Sequence, residues 1–256
     1  MIRRIAVFGY GLSAYLVFLA VFVYTVGFLA NEVVPRGIDD GAVGPLWIAL
    51  PVNIVLLSAF AVQHTVMARP GFKRWLTRFI SASIERSTYV LAASLVLAAV
   101  LWLWQPIPET VWSVEVGWLR VLLWATYLVG WLTVVGSTFM ISHFDLVGLS
   151  QVVADARKRE HRPPSFQVKL LYRFVRHPIM VGFLIAFWAT PDMSQGRLLF
   201  ATLGTGYILV GVRFEERDLR ANLGEHYLRY EQQVPRFVPR PRQGSHLEHL
   251  DIDAPS

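Results

Sequence analysis

The sequence predicts an all-α fold: a polytopic integral-membrane helical bundle of about five to six transmembrane helices, ending in a short C-terminal helical hairpin. Three observations predict it. The 256-residue chain is 54% hydrophobic and only 16% charged, with a mean hydropathy of +0.44. An ordinary soluble domain is about 45–50% apolar. Apolar runs recur at the length a hydrocarbon core demands, roughly 20 residues as helix. Basic residues are confined to alternate loops.

The first run covers about 7–30, behind Arg3 and Arg4, and reads as a retained anchor rather than a cleaved signal. Further runs cover about 46–67, 88–104 and 118–141. Two more follow at about 178–190 and 197–214. The former is short and stops at Thr190-Pro191-Asp192, so this pair is expected to form the hairpin.

Loop charges set the orientation. Arg69, Lys73, Arg74, Arg78 and Arg86 fill the 68–87 loop. Arg157, Lys158, Arg159, Arg162, Lys169, Arg173 and Arg176 fill 143–177. Loop 31–45 has Arg36 against Glu32, Asp39 and Asp40, and 105–117 has no Lys or Arg. Both termini are then expected in the cytoplasm, with an even number of crossings. Trp102, Trp104, Trp112 and Trp118 mark the opposite interface as an aromatic belt.

The net charge of +6 sits in these short loops, which suits anionic headgroups and not nucleic acid. The absence of cysteine excludes disulfides, thiolate metal sites and a cysteine nucleophile.

Chemistry-bearing residues gather at the ends of apolar segments, where titratable groups are costly and mark sites. Tyr172, Arg176, His177 and Pro178 open one apolar helix. Proline suits a first helical turn, which puts His177 at the positive end of the helix dipole. Taken alone, such an Arg-His pair can equally snorkel to the interface. Glu215-Glu216 lie at the foot of another apolar helix and need a cationic or hydrogen-bonding partner: a ligand, or Arg213 or Arg217. Gly224-Glu225-His226-Tyr227-Leu228-Arg229-Tyr230 and Val234-Pro235 follow.

In this order, over roughly 164–235, these pieces resemble the isoprenylcysteine carboxyl methyltransferase family and its phospholipid methyltransferase relatives. The resemblance implies an S-adenosylmethionine site built from Gln151, Tyr172, Arg176, His177, Pro178, Met180, Arg213, Glu215 and Glu216. Met180 stands where that family prefers an aromatic, Arg213 matches a family arginine only loosely, and a family histidine is absent near 164–167. Two further motifs narrow the group. Gln63-His64-Thr65-Val66-Met67-Ala68-Arg69-Pro70 ends the second span. Ser142-His143-Phe144-Asp145-Leu146-Val147-Gly148-Leu149 follows the fourth. Both resemble motifs of the bacterial methanethiol S-methyltransferases, in the broad group that includes NnrU-type membrane proteins.

That resemblance implies methylation of a small volatile thiol, methanethiol, to dimethyl sulfide at the cytoplasmic face of the bacterial inner membrane. His64, or His143 held by Asp145, is the expected base or thiolate stabiliser. Isoprenylcysteine carboxylate or a phospholipid amine is the alternative acceptor, and a non-catalytic NnrU-like protein the second alternative. Residues 1–234 are expected to form one membrane-embedded domain whose cofactor-binding part is 143–234. Residues 235–256 are expected to form a polar, proline-containing tail. A transporter is disfavoured because no span carries a charge at its middle. No metal is expected, because no H-x-x-x-H or H-E-x-x-H occurs, and His246 and His249 in the tail are expected to be inert. The bilayer is the expected surrounding partner, and neither nucleic acid nor a protein partner is implied.

Overall fold

In a computed structural model, residues 2–162 and 168–239 are described. His246, His249 and the segment 164–167 lie outside the described residues. The chain forms ten α-helices among them, in the order α1 Ile2–Ala30, α2 Leu46–Ala68, α3 Pro70–Leu76, α4 Ala82–Leu103, α5 Gly117–Ile141, α6 His143–Leu146, α7 Leu149–Ala156, α8 Pro178–Trp188, α9 Gln195–Leu223 and α10 Glu225–Gln233. Two short strands, β1 Thr110–Ser113 and β2 Asp192–Ser194, pair antiparallel.

Five helices, α1, α2, α4, α5 and α9, are long and apolar enough to cross a membrane. Their outer faces carry Val23, Val55, Val62, Leu95, Val121, Leu132 and Phe139, all exposed. Such faces would aggregate in water and are suited to lipid tails. The protein is an all-α polytopic membrane bundle. Its inner core is aromatic: Phe28, Trp104, Tyr127, Trp131 and Phe200 bury against one another and against Phe22, Phe183 and Phe187.

Proline and glycine punctuate these helices. Pro70 ends α2 and opens α3, since its ring disfavours helix at Arg69 and it needs no amide donor at N1. α8 lies along α5 because Gly130 and Gly182 meet: a Cβ on Gly182 would come 2.7 Å from the Gly130 carbonyl oxygen.

α8 has 11 residues, so it rises about 16 Å, well short of a full bilayer core. It still joins the two ends of the bundle. At one end, Arg36 donates to the carbonyls of Trp102 (2.8 Å) and Trp104 (2.7 Å), Asn53 pairs with the Gln105 backbone, and β1 meets β2. At the other, Arg3 binds Asp155 (3.1 Å), Arg86 donates to the Leu146 carbonyl (2.8 Å) and Arg69 binds Asp218 (2.9 Å). The second end holds the basic loops.

The last long helix differs from the sequence expectation. It runs on past Phe214 to Leu223, so Glu215 and Glu216 lie inside a helix and not at its foot. Arg220, one turn after Glu216 at 3.9 Å, and the packing of α10 against this extension let a polar stretch remain helical.

Candidate active site

Glu216 organises the basic end. It is 1% exposed and inside a helix, where a lone carboxylate would be prohibitively costly. Arg176 answers it with Nη2 at 2.7 Å and Nε at 3.1 Å. His177 Nε2 lies 3.2 Å from the same oxygen, and Arg236 closes on both oxygens. The remaining donor of Arg176, Nη1, reaches the carbonyls of Val234 (2.6 Å) and Glu231 (3.0 Å). Arg176 is therefore fully committed within the protein.

This cluster fastens a strap. The amides of Arg176 and His177 donate to the carbonyls of Pro235 (2.9 Å) and Arg236 (3.3 Å), and Phe237 lies 6.1 Å from the His177 ring. Glu231 ties the same strap to Arg220 at 2.6 Å, and that guanidinium holds the Glu231 carboxyl below its ordinary range. The site thus takes Pro235, Arg236 and Phe237 from the segment expected to be tail. No local spacing in the sequence pointed to Arg236.

Glu215 is the complement of Glu216. Its side chain is 50% exposed, and its closest partner is His177 Nδ1 at 3.5 Å. Pro178 opens α8 at its first turn, which sets His177 between the two glutamates. Tyr172, in a 3-10 turn Leu170–Arg173, is half-buried close by; burial and the charge of Glu215 push its hydroxyl well above the ordinary value. Its carbonyl accepts from Tyr230 at 2.7 Å. Tyr172 and His177 thus both lie beside Glu215 at the basic end. Met180 is half-buried in the first turn of α8, and Arg213 is exposed on α9.

The histidine motifs divide. His143 is buried, with Tyr15 Oη 3.0 Å from Nε2 and Thr138 Oγ1 2.9 Å from Nδ1. Thr138 gives its one hydroxyl proton to the Val135 carbonyl (2.7 Å), so His143 Nδ1 donates and Nε2 accepts. Both ring nitrogens are engaged, Phe139 stacks at 4.3 Å, and burial lowers the affinity of the ring for a proton. Asp145 does not hold His143, because the turn at Ser142 directs it elsewhere. It accepts from Ser142 and Ser150 and meets His161 Nε2 at 2.5 Å. Burial opposes its charge, yet these hydrogen bonds outweigh that and keep it below the ordinary carboxylate range. Gln151 donates to the Asp145 carbonyl at 3.3 Å, and its Oε1 is buried without a partner.

His64 sits among the rings of Phe60, Tyr89 and Tyr207, at 5.4, 5.2 and 6.3 Å. Its ring nitrogens share a single hydroxyl, that of Tyr89, at 2.8 and 3.2 Å. Among the described residues this hydroxyl is the one hydrogen-bond partner seen for His64. Tyr207 lies eight residues before Glu215 on α9, about 12 Å along the axis. None of these three aromatic partners was singled out in the sequence as a neighbour of His64. Among the described residues no three histidines or acids converge as a metal site would require.

Five membrane-length helices that gather acids, histidines and arginines at one end have the make-up of a membrane-embedded enzyme. The NnrU protein family model matches residues 52–194. The chain is 53% identical to the methanethiol S-methyltransferase of Mycobacterium tuberculosis, over 91% of this chain and 96% of that protein. It is 49% identical to methanethiol S-methyltransferase 2 of Bradyrhizobium diazoefficiens, over 94% and 92%. With the methanethiol S-methyltransferase of Pseudomonas sp. it shares 51%, over 91% and 90%. No solved structure matches it. The chain belongs to the NnrU family, and within it to the methanethiol S-methyltransferases.

Proposed function

We propose that the protein methylates methanethiol with S-adenosylmethionine at the basic end of the bundle, which faces the cytoplasm of a bacterial inner membrane. The observation that carries this is the division of labour between Glu216, sealed by Arg176 and Arg236, and Glu215, half-exposed beside His177 and Tyr172. A half-exposed acid whose nearest partner is a histidine at 3.5 Å suits the amino group or ribose hydroxyls of such a donor, so the residues present fit it. Bound there, the donor supplies a methyl group on an already activated sulfonium.

The chain's own residues then orient, exclude water and handle one proton. Glu215, His177 and Tyr172 hold the donor. The Arg176–Glu216–Arg236 cluster keeps those groups in place. His64 takes the thiol proton, since its two ring nitrogens share one hydroxyl, that of Tyr89, whereas each nitrogen of His143 has a partner of its own. Thiolate is the nucleophile, and it is the minor form of a free thiol at neutral pH. The products are dimethyl sulfide, S-adenosylhomocysteine and the released proton. The name shared by the relatives supports methanethiol as acceptor.

An acceptor panel tests this. Detergent-purified protein is given S-adenosylmethionine with methanethiol, a prenylated cysteine or phosphatidylethanolamine. Methylation of methanethiol at least tenfold above the other two is expected. Methylation of either of those with methanethiol untouched would overturn the assignment.

A further inference from the structure

An open cleft of about 600 Å³ lies between the ends of α2 and α9. Thr65, Arg69, Phe214, Arg217, Asp218 and Ala221 line it. That volume is within the range of small-ligand sites. Thr65, at its deep side, follows His64 in sequence and holds the Tyr207 hydroxyl at 3.3 Å. Phe214, on its α9 wall, precedes Glu215. Consecutive helical residues point about 100° apart, so one turn of α9 presents Glu215 toward α8 and Phe214 toward α2.

Arg69 crosses this cleft. Its guanidinium lies 4.9 Å over the Phe214 ring and 2.9 Å from Asp218. The two side chains are 35% and 51% exposed, so as a latch the pair contributes little to stability. Two guanidiniums, Arg69 and Arg217, stand here against one carboxylate, Asp218. His64 and Tyr207 lie deeper. Lys73 on α3, with Glu85 and Arg86 on α4, forms a separate charged group beyond.

We propose that this cleft is the acceptor subsite, and that Arg69 stabilises a small apolar thiol there as its thiolate. The inference rests on the methyl-transfer reading above and deepens it. A nearby guanidinium lowers a thiol's pKa, and the apolar wall of Phe214 and Ala221 accepts a short alkyl group. In the step, the S–H bond breaks and its proton passes to His64 or water. The sulfur lone pair forms the new S–CH₃ bond, and the old C–S bond breaks with its electron pair remaining on the donor sulfur. Asp218 restrains the effect by sharing the Arg69 charge.

The test compares wild type, Arg69→Gln, Arg69→Lys and Asp218→Asn. The readouts are KM for methanethiol, the pH dependence of kcat, which reports ionisations in the bound complex, and donor affinity by calorimetry. Arg69→Gln is expected to raise KM about tenfold or more and to move the acidic limb to higher pH, with donor affinity kept. Arg69→Lys should recover part of the loss. Asp218→Asn should move the limb the other way, to lower pH. A latch would give both substitutions the same effect, and that result overturns the proposal, as does an unchanged limb in Arg69→Gln. Should Arg69→Gln not fold, the direction of the Asp218→Asn shift decides alone. Wild type inert toward every thiol would sink the methyl-transfer reading and this inference together. Active wild type with unshifted variants would sink this inference only.

Discussion

Glu215 and Glu216 are adjacent in the chain and opposite in environment: the first is 50% exposed beside His177, and the second is 1% exposed between Arg176 and Arg236. A helix turns consecutive residues to different faces, so one acid can hold the protein together while its neighbour stays available.

The two acids should therefore fail differently. Glu216→Ala removes the closest counter-charge of the buried Arg176 and leaves it only Glu231 at 3.3 Å, which costs about 3–5 kcal/mol. Thermal unfolding in detergent should show a large drop in Tm. Glu215→Gln should unfold within a few degrees of wild type and lose affinity for S-adenosylmethionine. Equal destabilisation by both would remove the distinction.

The two histidines should separate as well. His64→Ala is expected to lower kcat about 10²-fold with donor binding intact, as for loss of a general base. His143→Phe, which breaks the contacts to Tyr15 and Thr138, is expected to act on stability first. Kinetics and unfolding measured on the same preparations check this, and the opposite pattern would exchange their roles.

His143 also predicts a pH dependence of stability. Burial lowers its proton affinity when folded below the ordinary value of 6.5. Below that pH the unfolded chain binds more protons at this position, so stability is full above it and is lost as pH falls through it. Asp145 acts in the same direction but lower, since its folded carboxyl is held below 3.8. Unfolding measured from pH 7.5 to 5 should decline in wild type and decline less steeply in His143→Phe.

Much of this was legible in the sequence because its causes are local. Apolar run length gave the long helices, loop charge gave a shared end for the 68–87 and 143–177 loops, and the proline of Arg176-His177-Pro178 gave the start of α8. The extension of α9 was not legible, since its support comes from α10 and from Arg220. Nor was the strap: Arg236 meets Glu216 only through a return of the chain that no periodicity records. The partner of Asp145 was misread for the same reason, as His161 lies sixteen residues away with no repeating pattern between.

Packing of α8 gives a further check. Gly182→Leu must place a side chain against the Gly130 backbone, with the first atom already at 2.7 Å. Overpacking of this kind costs about 1–3 kcal/mol, and close backbone approach puts it at the upper end. Because α8 carries His177, activity should fall along with Tm. A Leu variant with wild-type Tm would contradict the observed contact.

Membrane orientation follows from the two ends of the bundle. The native chain has no cysteine, so single introduced cysteines report cleanly. Glu115→Cys should label from outside intact cells and Arg78→Cys only after permeabilisation. The reverse would place the catalytic end outside.

The central claim is tested most directly by following the methyl group. Purified protein is given S-adenosylmethionine carrying a deuterated methyl, together with methanethiol, and the headspace is read by mass spectrometry. The account predicts trideuterated dimethyl sulfide from wild type and a loss of at least tenfold in Glu215→Gln at subsaturating donor. Unlabelled or absent dimethyl sulfide from wild type, or equal labelled product from the folded Glu215→Gln variant, would contradict it.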